Sequence, residues 1–275
     1  MSTAPQTEPV APRGATGSAR PGGTGGVAGG AGAVACVLVA AGSGTRLAAG
    51  RPKAFVAVGG APLLVHAAAG LAAADALDRV VVVVPAGLED EARRLLAEVP
   101  GMPPTDVVEG GPSRQASVAA GLGALPAGAD VVLVHDAARA LAPADLVRRV
   151  VAAVRPGGHE VVVPAVPVAD TLRDVSGGVV DRSRLRGVQT PQGFTADVLR
   201  RAHVAAAVGE GATDDAGLAE AAGARVHLVE GDAEAFKVTG PLDLLLAEAV
   251  LARRATSPGP APSSAAASPV GGAPA

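Results

Sequence analysis

VACVLVAAGSGTRLAAGRPK, at residues 34–53, decides the fold class of this chain. Residues 34–40 are small and apolar without interruption, which is how a strand reads when both of its faces are buried. The run passes straight into a loop holding Gly42 and Gly44. Glycines there permit tight turns that aim several backbone N–H groups at one point, as phosphate oxygens require. Arg46 and Lys53 bring two cations to the same loop. Two familiar phosphate loops fail on spacing. A GxGxxG motif needs glycine where Leu47 stands, and a Walker A loop needs Gly-Lys, a pair this chain lacks.

Outward from this stretch, short Val/Ala-rich runs alternate with amphipathic segments. Strands are expected at 34–40, 79–84, 105–109, 130–134, 160–166 and 225–229. Helices are expected near 62–74, 88–98, 113–124, 143–154, 195–206, 214–222 and 241–253. That alternation predicts an α/β domain with a mostly parallel sheet and helices on both faces. Ligands in such sheets bind at the carboxyl ends of the strands. Residues 167–194 break the pattern, with two short extended pieces around Ser-Gly-Gly and too much polarity for a core. They read as an arm projecting from the sheet.

The ends have a different composition. Residues 1–33 and 255–275 are mainly Gly, Ala, Pro, Ser and Thr, which cannot bury enough apolar surface to offset the entropy of ordering them. The expected domain is therefore 34–254, with a disordered tail on each side. The N-terminal tail carries Arg13 and Arg20 but not the apolar run of a signal peptide, and no stretch reads as a membrane span. A plastid-type transit peptide would share this Ser- and Arg-bearing, acid-poor character; a soluble cytoplasmic protein is the default expectation.

A formal net charge of −3, no Trp, no Tyr and three Phe argue against nucleic acid or a membrane surface as partner. The single cysteine, Cys36, lies mid-strand and reads as a buried hydrophobe. Neither CxxC nor HExxH occurs, so a zinc site built by the protein is not expected. The basic residues are more informative. There are 21 arginines but only two lysines, Lys53 and Lys237. An ammonium is a compact point charge that a planar guanidinium cannot imitate, so lysines that survive such a bias point to a role.

Seven further pieces complete a pattern: GGPSRQASVAAGL (110–122), VHDAAR (134–139), ADTL (169–172), VVDR (179–182), QTPQGF (189–194), TDDA (213–216) and FKVTGPLDL (236–244). With the loop at 40–53 they follow the order and spacing of the 2-C-methyl-D-erythritol 4-phosphate cytidylyltransferases, a family that the core resembles from 34 to 250. The resemblance implies a single Rossmann-like nucleotidyltransferase domain with a projecting β-arm. It implies that CTP and a polyol phosphate are joined, with magnesium as cofactor and pyrophosphate as product. Ala40, Ala41, Gly42, Ser43, Gly44, Thr45 and Arg46 would wrap the triphosphate, and Gly110 and Ser117 would read the cytosine. Arg46 and Lys53 would stabilise charge on the α-phosphoryl group, and Lys237 and Arg182 would position the attacking phosphate. Asp136, Arg139, Thr171, Thr190 and Thr239 would hold the polyol phosphate, with Asp136 also a candidate for the magnesium. The arm would cross to the neighbouring subunit of a homodimer.

Three positions depart from the family pattern: Pro112 replaces an acidic residue, Arg173 a lysine and Ala140 a proline. Pro112 removes a backbone donor beside the base. A phosphomonoester is mostly dianionic at neutral pH, so the proposed attack needs no general base, in keeping with the absence of a compelling His–Asp or Ser–His pair in the sequence. Ribitol 5-phosphate is the rival acceptor. A silent nucleotide-sensing domain and an NAD-dependent oxidoreductase are rivals of other classes. Both lysines and Arg182 argue against the first, and the missing third glycine against the second.

Overall fold

The computed structural model describes residues 32–42, 50–206 and 212–256. The first strand, β1 (Ala33–Val39), lies at the centre of the sheet. It pairs in parallel with β4 (Arg79–Val84) on one side and β6 (Ala129–Asp136) on the other. Beyond β4 lies β5 (Thr105–Glu109), also parallel. Beyond β6 comes the antiparallel β11 (Gln192–Thr195), then β7 (Val161–Pro167), which also pairs with β12 (Val226–Glu230) in parallel and with β10 (Arg186–Val188) antiparallel. Apart from β10 and β11, these strands all run in one direction.

Residue alternation builds the two layers around this sheet. Cys36, Leu38, Val80, Val82 and Leu133 face one way, toward α1 (Leu63–Ala72), α2 (Glu89–Ala97) and α4 (Ala144–Val154). Ala35, Val37, Val81, Val83 and Val132 face the other, toward α3 (Arg114–Ala124), α5 (Ala196–Ala206) and α6 (Asp215–Ala221). Cys36 is fully buried among them, and burial pushes its thiol pKa up. Helix α3 comes so close to the sheet that a Cβ on Gly121 would lie 2.5 Å from a methyl of Val37. A last helix, α7 (Pro241–Thr256), packs Ala247 and Val250 against Val58, from the small β2–β3 hairpin (Ala57–Val58 and Ala61–Pro62), and against Leu141. Strand β1 begins at Ala33 and α7 runs to Thr256, so the ordered elements take in Ala33, Ala255 and Thr256 from the expected tails; residues 1–31 and 257–275 lie outside the described residues.

The arm expected at 167–194 is shorter than the sequence suggested. Its hairpin, β8 (Leu172–Arg173) with β9 (Val179–Val180), closes through a turn in which Gly177 and Gly178 both have positive φ. Residues 186–195, however, belong to the sheet, and β11 sits between β6 and β7 with Phe194 fully buried. Polarity is a poor guide here because the buried amides are satisfied. Gln192 donates to Asp214 Oδ2 at 2.6 Å and accepts from Ala216 N at 3.1 Å. Gln189 donates to the carbonyl of Asp232 and accepts from its N–H, at 2.7 and 2.9 Å. A polar side chain with its hydrogen bonds made can be buried at little cost.

Candidate active site

A cleft of about 350 Å³ opens at the carboxyl ends of β1 and β6. Its floor is the end of β1 running into Ala40, Ala41 and Gly42, anchored where Ala40 N donates to Val83 O at 2.7 Å. The β6 side supplies Asp136, Ala137 and Ala138, with Ala137 N bonded to Val39 O at 3.0 Å. Gly111, Pro112, Ser113 and Arg114 form a third wall, at the start of α3. Lys53 and Lys237 complete the lining. The two lysines of the chain, 184 positions apart in sequence (237 minus 53), thus meet in one cavity.

Local hydrogen bonds hold each wall. Ser113 caps α3 by accepting from Ala116 N at 3.0 Å. Ser117 donates to Ser113 O at 2.9 Å and its hydroxyl accepts from Gly111 N at 3.2 Å, so it shapes the 111–113 loop. A Cβ on Gly110 would lie 2.5 Å from that of Ala41 and 2.9 Å from Ser117 Oγ, a closeness that only glycine tolerates. Lys237 is positioned by its neighbour, since Val238 N donates to Ala138 O at 2.8 Å.

The electrostatic centre is Asp136. Its Oδ2 receives the Lys237 ammonium at 2.6 Å and its Oδ1 the Nε of Arg114 at 3.2 Å. Burial alone would raise this carboxyl, but the charges of Arg114 and Lys237 outweigh it and hold the pKa well below the usual range. Behind Arg114, its Nη1 donates to Asp215 Oδ2 at 2.7 Å, and Asp215 Oδ1 meets His203 Nε2 at 2.9 Å. Arg114, Asp215 and His203 carry no local signal in the sequence, which offers no compelling His–Asp pair. One exists, but His203 is not among the cleft-lining residues, so it cannot act there as a base.

Of the residues expected at the site, Ala40, Ala41, Gly42, Lys53, Ser117, Asp136 and Lys237 line this cleft. Gly110 lies against Ala41 and Ser117, at the cleft's edge. Ser43, Gly44, Thr45 and Arg46 lie outside the described residues. Arg139 is turned to structural work, donating to Ala235 O at 2.8 Å and Val188 O at 2.9 Å. Thr190 is not on the arm but buried beside β6, where its hydroxyl accepts from Asp136 N at 3.0 Å and contacts His135 Nδ1 at 2.9 Å. Thr239 donates its hydroxyl to Asp243 at 2.6 Å, and Asp243 also accepts from Gly240 N at the start of α7. The Thr239 hydroxyl, with the Lys53 ammonium a lesser contributor, keeps Asp243 below its ordinary pKa. Thr171 and Arg182 are exposed on the arm, where Arg182 donates to the carbonyl of Ala169; neither lines the cleft of its own chain.

Among the described residues, the side chains lining the cleft do not by themselves make a metal centre. Among the described residues Asp136 is the only carboxylate lining the cleft, and both of its oxygens are taken by cations. Nor, among those residues, could any cluster of three His, Cys, Asp or Glu side chains hold an ion.

His135 gives this region a pH signature. Burial, reinforced by the charge on Arg139, lowers its pKa from 6.5 to about 4, although Asp136 pulls the other way. Between those pH values the unfolded chain binds the extra proton and the folded one does not. Stability should therefore fall as pH drops from 6.5 to 4, by up to ~3 kcal/mol. The Asp136 contribution is lost at still lower pH, as pH falls from the ordinary carboxylate range downward, so its window begins about where that of His135 ends. Urea melts at pH 7 and pH 5 should show the loss, and His135→Asn should remove most of it; an unchanged slope would assign the effect elsewhere.

Comparison with known proteins is consistent with this geometry. A family model described as 2-C-methyl-D-erythritol 4-phosphate cytidylyltransferase matches residues 34–253. Proteins of that name from Streptomyces avermitilis and Rhodococcus opacus are each 52% identical to the chain, over 82% and 81% of its length and 94% and 96% of theirs. The crystal structure of the protein of that name from Thermus thermophilus aligns with a TM-score of 0.64 and 44% identity, over 79% of this chain and 98% of that one. A 4-diphosphocytidyl-2C-methyl-D-erythritol synthase from Anaerococcus prevotii aligns with a TM-score of 0.70 and 26% identity, over 81% and 99%.

Proposed function

We infer the reaction from one premise: this chain belongs to the 2-C-methyl-D-erythritol 4-phosphate cytidylyltransferase family. It transfers CMP from CTP to 2-C-methyl-D-erythritol 4-phosphate, giving 4-diphosphocytidyl-2-C-methyl-D-erythritol and pyrophosphate, in isoprenoid precursor biosynthesis. The observation that carries this reading is the convergence of Lys53, Arg114 and Lys237 on a cleft where Asp136 is the one carboxylate among the described residues. Such a cleft suits two phosphorylated substrates, whose mutual repulsion is the main obstacle to reaction.

In the reading we propose, an oxygen of the acceptor's phosphate dianion attacks the α-phosphorus of CTP, and the bond to the β-phosphate oxygen breaks. Lys53, with Arg46, offsets charge gathering on the α-phosphoryl oxygens. Lys237, fixed by Asp136, orients the attacking phosphate. Gly110, packed against Ala41 and Ser117, closes the wall where the base would lie, and in this reading a pyrimidine is admitted and a purine excluded by size. Magnesium would neutralise phosphate charge as the counter-ion of the triphosphate rather than as a resident of the protein, and no step above depends on it. The test is pyrophosphate release with magnesium, each nucleoside triphosphate and either methylerythritol 4-phosphate or ribitol 5-phosphate. CTP with the methylerythritol ester should dominate; equal use of ATP, or preference for the ribitol ester, would overturn the assignment.

The enzyme is further proposed to be a cytoplasmic homodimer whose arms exchange. Supporting this, Thr171 and Arg182 stay away from their own chain's cleft, and the arm exposes Val175 and Val179. If Arg182 serves the neighbour's site, Lys53→Ala and Arg182→Ala dimers should both be nearly inactive. After subunit exchange, half the dimers are mixed and each holds one intact site, so about a quarter of wild-type activity should return. Exchange verified with tagged chains but without recovered activity would exclude the crossed arm.

A further inference from the structure

The cleft is the exposed end of a ladder of alternating charge that runs into the core. From outside inward the side chains are Lys237, Asp136, Arg114, Asp215 and His203, linked at 2.6, 3.2, 2.7 and 2.9 Å. The two carboxylates are the more buried partners at each step: side-chain exposure is 39% at Lys237 and 29% at Arg114, but 11% at Asp136 and zero at Asp215. The members come from β6, α3, α6, α5 and the loop before α7, so no single element could place them. A fully buried carboxylate is costly unless paired, and Asp215 spends both oxygens on fixing Arg114 and His203.

We propose that Asp215 is a positioning residue for CMP transfer, acting through Arg114 and Asp136 on the ammonium of Lys237. Arg114 gives Nε to Asp136 and Nη1 to Asp215, so its fork is split between two carboxylates. With Asp215 discharged, the fork is free to close on Asp136 alone, as a guanidinium does on a single carboxylate. The Asp136 oxygen that now holds Lys237 would then be contested, and the lysine would lose its fixed point. A misplacement of about 1 Å in a reacting group can cost about 100-fold in rate. This inference rests on the proposed role of Lys237 in orienting the acceptor phosphate.

Asp215→Asn is nearly isosteric and removes the charge with little change of shape, leaving Arg114 at most a weaker, neutral hydrogen bond in competition with the charged Asp136. With full-length protein, CTP, magnesium and methylerythritol 4-phosphate, Asp215→Asn should lower kcat by about 10- to 100-fold and leave KM for CTP within about twofold. The double variant Asp215→Asn/Lys237→Ala should be no slower than Lys237→Ala alone, because the effect runs through that lysine. Arg114→Lys, at a half-buried position, breaks the ladder one step further out and should show the same loss and the same non-additivity, which keeps the test available if Asp215→Asn does not fold. A folded Asp215→Asn enzyme with wild-type kcat and a lowered Tm would reduce Asp215 to a structural ion pair and overturn the proposal. Losses that multiply with Lys237→Ala, for either variant, would overturn it too. A wild-type enzyme unable to use these substrates would instead sink the functional reading.

Discussion

Lys53→Ala and Lys237→Ala should each lower kcat by about 100- to 1,000-fold, the cost of removing one preorganised charge from a transition state. Both lysines line the cleft, and Lys237 is half exposed, so neither truncation opens a cavity in the core. Asp136 keeps Arg114 as a partner when Lys237 is lost, which spares it the penalty of an unpaired buried charge. Fold and Tm should therefore be nearly unchanged. Lys→Arg should rescue poorly at both sites: Nζ of Lys237 sits 2.6 Å from Asp136, and a planar fork cannot occupy that space and also reach a phosphate. Steady-state kinetics settle the matter; near-full turnover from either alanine variant would show that its lysine is incidental to the chemistry.

Phe194→Ala should destabilise the domain by about 3–5 kcal/mol, the usual cost of deleting a buried aromatic ring. The ring is fully buried on β11, packed in the same cluster as Val132, Val161 and Leu199. Were residues 186–194 part of an exposed arm, the same change would fall within about 0.5 kcal/mol. For a domain of this size the larger figure means a Tm lower by roughly 10 °C, easily read by calorimetry. A shift of a degree or less would contradict the placement of β11 in the sheet.

The sheet was legible wherever burial leaves an unbroken apolar run. RVVVVV at 79–84 is β4 to the residue, and TDVVE at 105–109 is β5. Both lysines were legible as survivors of an arginine-rich composition, an argument that needs no geometry. Strands β10 and β11 were not, because Gln189, Thr190 and Gln192 look like surface residues until their hydrogen-bond partners 22 to 55 positions away are known. The inner ladder was hidden for the same reason. Arg114 and Asp215 stood in two quoted motifs, GGPSRQASV and TDDA, but their contact spans 101 positions and leaves no local trace. Periodicity reports which face of an element is buried, not which distant charge it will meet.

With Lys53, Arg114 and Lys237 facing Asp136, the cleft is a local positive focus on a molecule whose formal net charge is −3. Field lines concentrate in such a recess, so a triphosphate is drawn in over the last few ångströms even though the molecule as a whole repels it. Capture should weaken with ionic strength only mildly, since at physiological salt the surrounding negative charge is screened beyond about 8 Å. The same focus acts on what is left behind. Pyrophosphate keeps most of the charge that brought CTP to the cleft, and it departs against the field that delivered its parent. Pyrophosphate that accumulates should therefore rebind in the same recess and compete with CTP, which initial-rate inhibition measurements would read directly.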